Sequence, residues 1–350
     1  MSILLSEGAY GCIYYPGIQC SGKSSNDKDS VSKLQINNFN AQNEIKIGKM
    51  VSEIENYDRY FIPITSGCAL DLSLLDKSLK KECNVIKKTT KTNFIVMNMK
   101  FIENIAETAV LSAANSLWLK KKKISQMFDM FAELTYSVHQ LLRHNIVHFD
   151  LKHQNIVVDD KSGRTFIIDF GISLPMKEVR KNMKNYFYTF NPSYYSWPLE
   201  VHVLNYLSNI KKTALVEDDA ILIATQYSSA AFIDFFSPIF AERFKIACLT
   251  QVKKYVGIPP ETLVSKLLKY HTTWDNYAIS IMFIEMLNKS FNKGHHYNKM
   301  FILFSQILLV NCAPNPELRL SYHDTHRLFK NIFYTNDDIT SFHDLCLDIS

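Results

Sequence analysis

Four polar residues in one part of the sequence are of types that could carry out acid–base and metal chemistry. Asp150, Lys152 and Asn155 follow one another closely, and Asp169 comes fourteen residues after Asn155. A carboxylate can accept a proton, an ammonium group can offset negative charge, and carboxylate and amide oxygens suit a hard cation. For any one of these residues an ordinary polar loop is the simpler interpretation. The four together at this spacing favour a catalytic loop.

The elements around these residues must hold them in place, and their patterns predict a long helix followed by short strands. Apolar residues recur at helical spacing and predict an amphipathic helix of about five turns; they are Met127, Met130, Phe131, Leu134, Val138, Leu141 and Leu142. Short β-like runs follow at Ile146–His148, Asn155–Val158 and Thr165–Ile168. Residues 159–163 separate the last two runs as a turn.

The stretch from 147 to 158 reads VHFDLKHQNIVV, and the tripeptide DFG follows at 169–171. This resembles the catalytic loop of the eukaryotic protein-kinase family, in which DFG follows a His, an Asp, a Lys and an Asn at this spacing. The resemblance implies that Asp150 accepts the proton of a substrate hydroxyl and that Lys152 offsets charge on the transferred phosphoryl group. It implies that Asn155 and Asp169 hold Mg²⁺.

The N-terminal residues resemble the glycine-rich loop of the same family. The sequence from 6 to 13 is SEGAYGCI, in which Gly8 and Gly11 are kept and Ser6 stands in place of the first glycine. Glycine lets backbone amides come close to phosphate oxygens. The resemblance implies that Ser6, Gly8, Gly11 and Ile13 contact the nucleotide, although a strand turn with two glycines is by itself common.

A lysine on a strand and a carboxylate on the next helix are expected after this loop. Lys33, in the run VSKL, fits the lysine that holds the α and β phosphates, with an ordinary exposed strand lysine as the alternative. Glu44, eleven residues later, is predicted as its partner. Glu53 lies at the more usual spacing and stays open as the other choice.

The resemblance implies an α+β, bilobal protein-kinase-like fold. A small lobe, residues 1–98, would be an antiparallel sheet plus one helix, and a larger lobe, residues 99–350, would be mainly helical. ATP would lie between the lobes, under the glycine-rich loop. A linker near Met97 and Met99 would contact the adenine through its backbone, although the apolar run Phe94–Met97 also fits plain strand core.

Further matches lie in the C-terminal half. The run WPLE at 197–200 stands where the family has A-P-E, and Arg319 matches the arginine that pairs with its glutamate, here Glu200. Asp275 matches the aspartate that hydrogen-bonds the catalytic-loop backbone. Ser193 lies where serine/threonine kinases place a threonine that contacts the substrate site.

Two departures from the family pattern carry predictions. Phe149 replaces the arginine that binds a phosphorylated activation loop, so activity is predicted to need no loop phosphate. Residues 201–273 form an apparent insertion, interpreted as structural packing or, alternatively, as a partner-binding element. With these departures, the sequence resembles the divergent kinases of large cytoplasmic DNA viruses.

The bulk properties fit an ordinary globular chain. The net charge is +5, and the densest basic run, Lys120–Lys123, is interpreted as a solvated surface, so no specific nucleic-acid contact is predicted. The seven cysteines show no metal-ligand spacing, and reduced thiols are expected. No membrane span or signal peptide is predicted. A cytoplasmic location is expected, in the host cytoplasm or the virion if the chain is viral.

The sequence therefore predicts a serine/threonine protein kinase that uses ATP and Mg²⁺ and acts on protein substrates. Two other functions stay open: a pseudokinase or scaffold module, and a kinase of small molecules. The presence of Lys33, Asp150, Asn155 and Asp169 counts against the first.

Overall fold

The computed structural model divides the chain into two compact units, Met1–Ile105 with Asn155–Ser173, and Ala106–Gln154 with Leu174–Ser350. The boundary predicted at residue 98 therefore lies further along the chain. The segment after the catalytic loop groups with the first unit because the amide of Ile62 donates to the carbonyl of Ile167 at 3.1 Å. The structure describes residues 2–8, 11–88, 93–102, 117–159, 161–209, 214–229, 236–291 and 299–334.

A five-stranded antiparallel sheet is the framework of the first unit, in the order β1-β2-β3-β5-β4. The strands of the chain are β1 Ile3–Glu7, β2 Gly11–Tyr15, β3 Ser30–Ile36, β4 Cys68–Asp71, β5 Asn93–Lys100, β6 Ile146–Val147, β7 Ile156–Val158, β8 Thr165–Ile167 and β9 Leu174–Pro175. Four consecutive residues of β5, Phe94–Met97, are buried because both faces of the sheet are covered. One face packs on Leu79 and Ile86, and the other on Ala41 and Ile64.

The helices of the chain are α1 Phe39–Ser52, α2 Lys77–Glu82, α3 Asn84–Lys88, α4 Leu117–Arg143, α5 Met176–Val179, α6 Met183–Tyr186, α7 Leu199–Asn209, α8 Glu217–Ser228, α9 Pro238–Lys253, α10 Pro260–Leu267, α11 Trp274–Phe291, α12 Lys299–Asn311 and α13 Tyr322–Tyr334. The sheet of the first unit and the helices of the second confirm the predicted α+β class. No helix in the described part of the chain has the length and the apolar composition that a bilayer crossing requires.

Helix α1 carries the glutamate predicted as the lysine's partner. It begins where the Asn38 side chain accepts a hydrogen bond from the Ala41 amide at 3.1 Å. Its buried face includes Glu44 and Ile47. At Gly48 a Cβ atom would come within 1.9 Å of the Ile64 carbonyl oxygen. Glycine is therefore required for the close approach of α1 to the chain at residue 64.

The expectation of reduced thiols is wrong for four cysteines of the first unit. Cys12 bonds to Cys83, and Cys20 bonds to Cys68. The pairs are 71 and 48 residues apart in sequence, so spacing alone gave no sign of them. They tie β2 to the junction of α2 and α3, and the polar loop after β2 to β4. Cys248 and Cys312 are free and buried.

Helix α4 is the central helix of the second unit and begins earlier than predicted, at Leu117. Its Phe131 lies edge-on to Phe304 of α12, with ring centroids 4.9 Å apart, and 4.8 Å from Phe329 of α13. The apolar stripe predicted from the sequence thus faces the core. The run Lys120–Lys123 lies in this helix, and its side chains are outside the described residues.

The stretch 201–273 contains most of α7 and all of α8, α9 and α10. Ser237 caps α9 by accepting from the Phe240 amide at 3.3 Å, and Pro238 follows at the first helical position. Tyr227 of α8 is fully buried, and its hydroxyl lies 2.5 Å from that of Tyr277 in α11. These contacts favour the interpretation of the stretch as structural packing.

Candidate active site

Four residues predicted to contact the nucleotide form one row across the sheet of the first unit. Ser6 pairs with Ile13 across β1 and β2, and Ile13 pairs with Lys33 across β2 and β3. Lys33 in turn pairs with Met97 across β3 and β5. Directly opposed residues of antiparallel strands point to the same face. The pairing therefore places these side chains side by side, on the face that α1 covers.

The glycine-rich turn joins the first two strands of this row. The Gly8 amide donates to the Gly11 carbonyl at 2.9 Å, which closes the turn. A Cβ atom at Gly11 would lie 2.2 Å from the Leu34 carbonyl oxygen, so no larger residue fits there. Ala9 and Tyr10, between the two glycines, are outside the described residues.

Lys33 holds two carboxylates at once. Its Nζ lies 3.1 and 2.9 Å from the two carboxylate oxygens of Glu44 and 2.9 Å from Oδ1 of Asp169. Burial alone would lower the pKa of Lys33, but Asp169 and Glu44 outweigh it and raise that pKa above its usual range. Lys33 therefore carries its positive charge at neutral pH.

Glu44 is the partner of Lys33 in the structure, whereas Glu53 is exposed at the C-terminal end of α1. Burial raises the pKa of Glu44 to about 7, with Lys33 acting against the shift and Asp169 adding to it. Sequence reasoning missed Asn43, the neighbour of Glu44. Its Nδ2 donates to the carbonyls of Gly171 at 3.1 Å and Ser173 at 2.9 Å, so α1 holds the segment after Asp169 in place.

The candidate metal ligands lie at one end of the β7–β8 hairpin. Ile156 pairs with Ile167, and the Ile168 amide donates to the Asn155 carbonyl at 3.0 Å. Asp169 directly follows Ile168, so its backbone lies close to that of Asn155. The Asp169 backbone has a φ of 62°, in the left-handed region, and its side chain is 39% exposed. One accessible carboxylate and one amide are the oxygen donors that Mg²⁺ prefers, so the residues fit that ion.

The linker predicted near Met97 and Met99 is instead strand. Both residues lie inside β5, where Met97 pairs with Lys33 and Met99 with Val31. Met97 is fully buried. The apolar run Phe94–Met97 is therefore the core of a strand, as the alternative interpretation had it, and this strand continues to Lys100. The backbone contact of these residues with adenine stays a prediction.

The second unit carries the predicted proton acceptor. Asp150 receives the ammonium group of Lys152 on both of its carboxylate oxygens, at 3.1 and 2.9 Å. The Asp150 amide in turn donates to Nδ1 of His148 at 3.3 Å. Asp150 is therefore contacted from both sides by residues of the same loop, each two positions away.

Asp275 fixes the backbone that precedes Asp150. The amides of His148 and Phe149 donate to its two carboxylate oxygens at 2.7 and 2.9 Å, as predicted. Burial raises the pKa of Asp275, while His148 and the two backbone bonds act against that shift. The φ of Phe149 is 70°, a conformation that a bulky residue rarely adopts. The buried carboxylate helps to hold this strained backbone.

The role predicted for Ser193 at the substrate site stays a prediction, and its neighbour is the residue that contacts Asp150. The Ser193 hydroxyl donates to Asn191 Oδ1 at 2.7 Å and is exposed. The Tyr194 hydroxyl instead donates to Asp150 Oδ1. Sequence reasoning missed Tyr194 because the family has a short threonine side chain in this part of the chain. A tyrosine hydroxyl lies several ångströms further from its backbone, so a tyrosine can reach the same carboxylate from a different position. Only the folded path of the segment shows which one reaches Asp150.

Aromatic rings surround Phe149, at the position where the family has an arginine. Its ring is stacked on Trp197, with centroids 4.8 Å apart, and lies edge-on to Phe187 at 5.7 Å. Trp197 Nε1 also donates to the Phe149 carbonyl at 2.7 Å. Trp274 completes the cluster at 5.8 Å. Apolar packing therefore joins the activation segment to the catalytic loop.

The predicted pair of Glu200 and Arg319 is present in the core of the second unit. Both side chains are 1% exposed, and the shortest of their contacts is 2.6 Å. Trp274 Nε1 donates to the same carboxylate at 2.9 Å. The pair is therefore a structural link between α7 and the chain before α13.

Part of the chain is similar to a known protein family. Residues 71–197 match the protein kinase domain, a stretch that includes Asp150, Lys152, Asn155 and Asp169. This stretch of the chain is therefore similar to protein kinase domains. The glycine-rich turn, Lys33 and Glu44 lie before the matched stretch.

One particular relative is viral. The chain is 27% identical over 179 residues to a protein of fowlpox virus (strain NVSL) described as a "probable serine/threonine-protein kinase". The match covers 48% of this chain and 51% of the fowlpox protein. The chain therefore spans about half the length of the curated relative that it matches. This similarity agrees with the viral character expected from the sequence.

Proposed function

We propose that the chain is a protein kinase that transfers the γ-phosphate of ATP to serine or threonine hydroxyls of proteins. The observation that carries the proposal is the ammonium group of Lys33 held between Glu44 and Asp169, 136 residues from Asp169 in sequence. This cation joins β3 to α1 and lies beside a potential metal ligand. It is the arrangement that a nucleotide phosphate requires.

In this proposal Asp150 accepts the proton of the acceptor hydroxyl, and Lys152 offsets charge on the phosphoryl group in transfer. Lys33 binds the α and β phosphates, and Gly8 and Gly11 let the backbone approach them. Mg²⁺, when bound by Asn155 and Asp169, would supply positive charge to the phosphates. Ser6, Ile13 and the β5 methionines would line the nucleotide.

The acceptor class is proposed on two grounds. Lys152, two residues after Asp150, resembles the serine/threonine class of the family, and the fowlpox relative is described in those words. The Glu200–Arg319 pair, which resembles the family's link below its activation segment, supports a protein substrate over a small molecule. A kinase of small molecules and a scaffold module that binds ATP without transfer are the outcomes that would replace the proposal.

We also propose that activity needs no phosphate on the activation segment. A phosphate would normally order this segment by pairing with an arginine beside the catalytic aspartate. Here that place belongs to Phe149, and stacking with Trp197 supplies the order instead. Protein treated with a phosphatase, and shown by mass to carry no phosphate, should keep its full rate. Loss of activity on this treatment would refute this part of the proposal.

The deciding experiment is transfer of labelled γ-phosphate from Mg-ATP to a generic basic protein, followed by phosphoamino-acid analysis. Wild type should label serine or threonine, and Asp150→Asn should abolish the label. Asp58→Asn, the same substitution at an exposed site, is the matched control and should leave the rate unchanged. ATP binding without transfer to any protein in wild type would favour the scaffold or small-molecule function.

A cytoplasmic or virion location is proposed from the similarity to a viral kinase. The two disulfides count against a strongly reducing compartment, where such bonds are rare. Alkylation of thiols in intact producing cells, before lysis, tests the location of the protein and the presence of the disulfides in one experiment. Recovery of the Cys12–Cys83 bond from the cytoplasmic fraction would support the location, and recovery of the protein only from a secretory fraction would refute it.

A further inference from the structure

The side chain of Tyr194 lies directly on the predicted proton acceptor. Its hydroxyl donates to Oδ1 of Asp150, the same oxygen that receives Lys152 at 3.1 Å. The Lys152 ammonium is 6.0 Å from the centroid of the tyrosine ring. The ring also packs edge-on against Trp197, with centroids 4.9 Å apart. One hydroxyl of the chain itself therefore occupies a hydrogen-bonding position on Asp150.

The backbone on the C-terminal side of Tyr194 is fixed by separate contacts. The Tyr195 hydroxyl donates to Glu285, and the Tyr195 carbonyl accepts from the Tyr277 hydroxyl at 3.1 Å. His153 contacts the second oxygen of Glu285 at 3.3 Å. Burial raises the pKa of Tyr195, so this phenol stays a donor. Because the neighbouring backbone is held in this way, the Tyr194 hydroxyl can leave Asp150 by rotation of its own side chain.

An acceptor hydroxyl that gives its proton to Asp150 must come within hydrogen-bond distance of that carboxylate. The Tyr194 hydroxyl already stands at that distance. We propose that Tyr194 is a residue of the acceptor site, whose hydroxyl an incoming serine or threonine must displace from Asp150. The inference rests on the proposed function, because it assigns the acceptor to Asp150. It adds that acceptor binding competes with a hydrogen bond inside the chain.

The competition has a measurable size. Because a hydrogen bond to a charged group is among the stronger ones in proteins, loss of this bond before the acceptor arrives should tighten acceptor binding about tenfold. Tyr194→Phe removes the hydroxyl and keeps the ring on Trp197. We expect the KM for a serine peptide to fall about tenfold, with kcat unchanged within about twofold. Tyr188→Phe, an exposed tyrosine of the same segment, is the matched control and should change neither constant.

The division between KM and kcat separates this role from a structural one. If Tyr194 served instead to position Asp150, its loss would lower kcat, and that result would overturn the inference. An unchanged KM in Tyr194→Phe would overturn it as well. Thermal unfolding of both variants shows whether either substitution has disturbed the fold.

A second readout needs no phosphate transfer. In protein labelled with 3-fluorotyrosine, the ¹⁹F resonance of residue 194 is the one missing from Tyr194→Phe. It should move when Asp150→Asn replaces the carboxylate, and when a serine peptide is added with a non-hydrolysable ATP analogue. A resonance that ignores Asp150→Asn would overturn the inference whatever the activity. Absence of transfer in both wild type and Tyr194→Phe, with a resonance that responds to Asp150→Asn, would refute the proposed function while leaving the contact established.

Discussion

The Glu200 carboxylate and the Arg319 guanidinium meet in two parallel hydrogen bonds, 2.6 Å from Nη1 to Oε1 and 2.7 Å from Nη2 to Oε2. The two residues are 119 positions apart in the chain. Arg319 Nε also donates to the Ala313 carbonyl at 2.9 Å. These three bonds use three of the five N–H groups of this buried cation, and Nη1 donates a fourth bond to the Thr273 hydroxyl at 3.3 Å.

Removal of the guanidinium should therefore be costly. Arg319→Met keeps an apolar side chain of similar length but leaves Glu200 buried without a counter-charge. We expect a loss of about 3–5 kcal/mol in the free energy of unfolding, measured by urea denaturation. Arg327→Met is the control, because its pair with Asp324 is exposed and should contribute less than about 1 kcal/mol. Equal losses in the two variants would contradict the structural role of the buried pair.

Substitution of the lysine's partner should weaken nucleotide use. In Glu44→Gln, Lys33 keeps Asp169 but loses its buried counter-charge on α1. We expect kcat/KM for ATP to fall by about tenfold or more, because hydrogen bonds between charged groups contribute roughly 1.5–3 kcal/mol. Initial rates against ATP concentration give the value. Glu53→Gln, at the exposed end of the same helix, should match wild type, and an equal effect there would mean that Glu44 has no special part.

A buried histidine should make stability depend on pH. Burial lowers the pKa of His202 from 6.5 to about 4, although its Nε2 hydrogen-bonds the Trp197 carbonyl at 3.2 Å. The folded protein thus resists a proton that the unfolded chain accepts. The contribution of neutral His202 to the free energy of unfolding is complete above pH 6.5 and is lost as the pH falls toward 4. The loss should approach about 3 kcal/mol.

Urea denaturation at a series of pH values tests this dependence. His202→Gln can still donate to the Trp197 carbonyl and has no proton to gain, so its stability should fall less than that of wild type on acidification. His144→Gln, at an exposed position directly after α4, should follow the wild-type curve. Parallel curves for wild type and His202→Gln would show that His202 does not cause the acid loss.

The number of reactive thiols shows whether the two disulfides are present. Because four of the seven cysteines are in disulfides, a thiol reagent should detect no more than three thiols after denaturation without reductant. Seven thiols under the same conditions would mean that the bonds are absent. Closure of a loop of 71 residues should contribute about 4 kcal/mol by chain entropy. Reductant should therefore lower the unfolding midpoint of wild type, and should have little effect on a variant in which all four bonded cysteines are serine.

Much of the candidate site was predictable because its signals are local. The spacing of Asp150, Lys152 and Asn155 places them in one loop, and the turn before Thr165 makes the hairpin that brings Asp169 back beside Asn155. The choice of Glu44 needed only the buried face of one helix. In each case a short segment determines the geometry.

The features that sequence reasoning missed depend on distant parts of the chain. Four cysteines can pair in three ways, and their spacing does not say whether they pair at all. Tyr194 reaches Asp150 because contacts at Tyr195 and Trp197 set the course of the segment. The strand β5 runs on through Met99 because β3 is long enough to pair with it, which the apolar run alone did not indicate.

The two disulfides have a nested order along the chain, since Cys20 and Cys68 both lie between Cys12 and Cys83. Lys33 and Glu44 are thus enclosed by both covalent rings. A protease that cuts the exposed loop near Lys28 would break the backbone without separating the pieces. The nicked chain would run as one band on a non-reducing gel and as two after reduction. The residues before Lys28 would then be joined covalently to the rest of the chain only by the two disulfides.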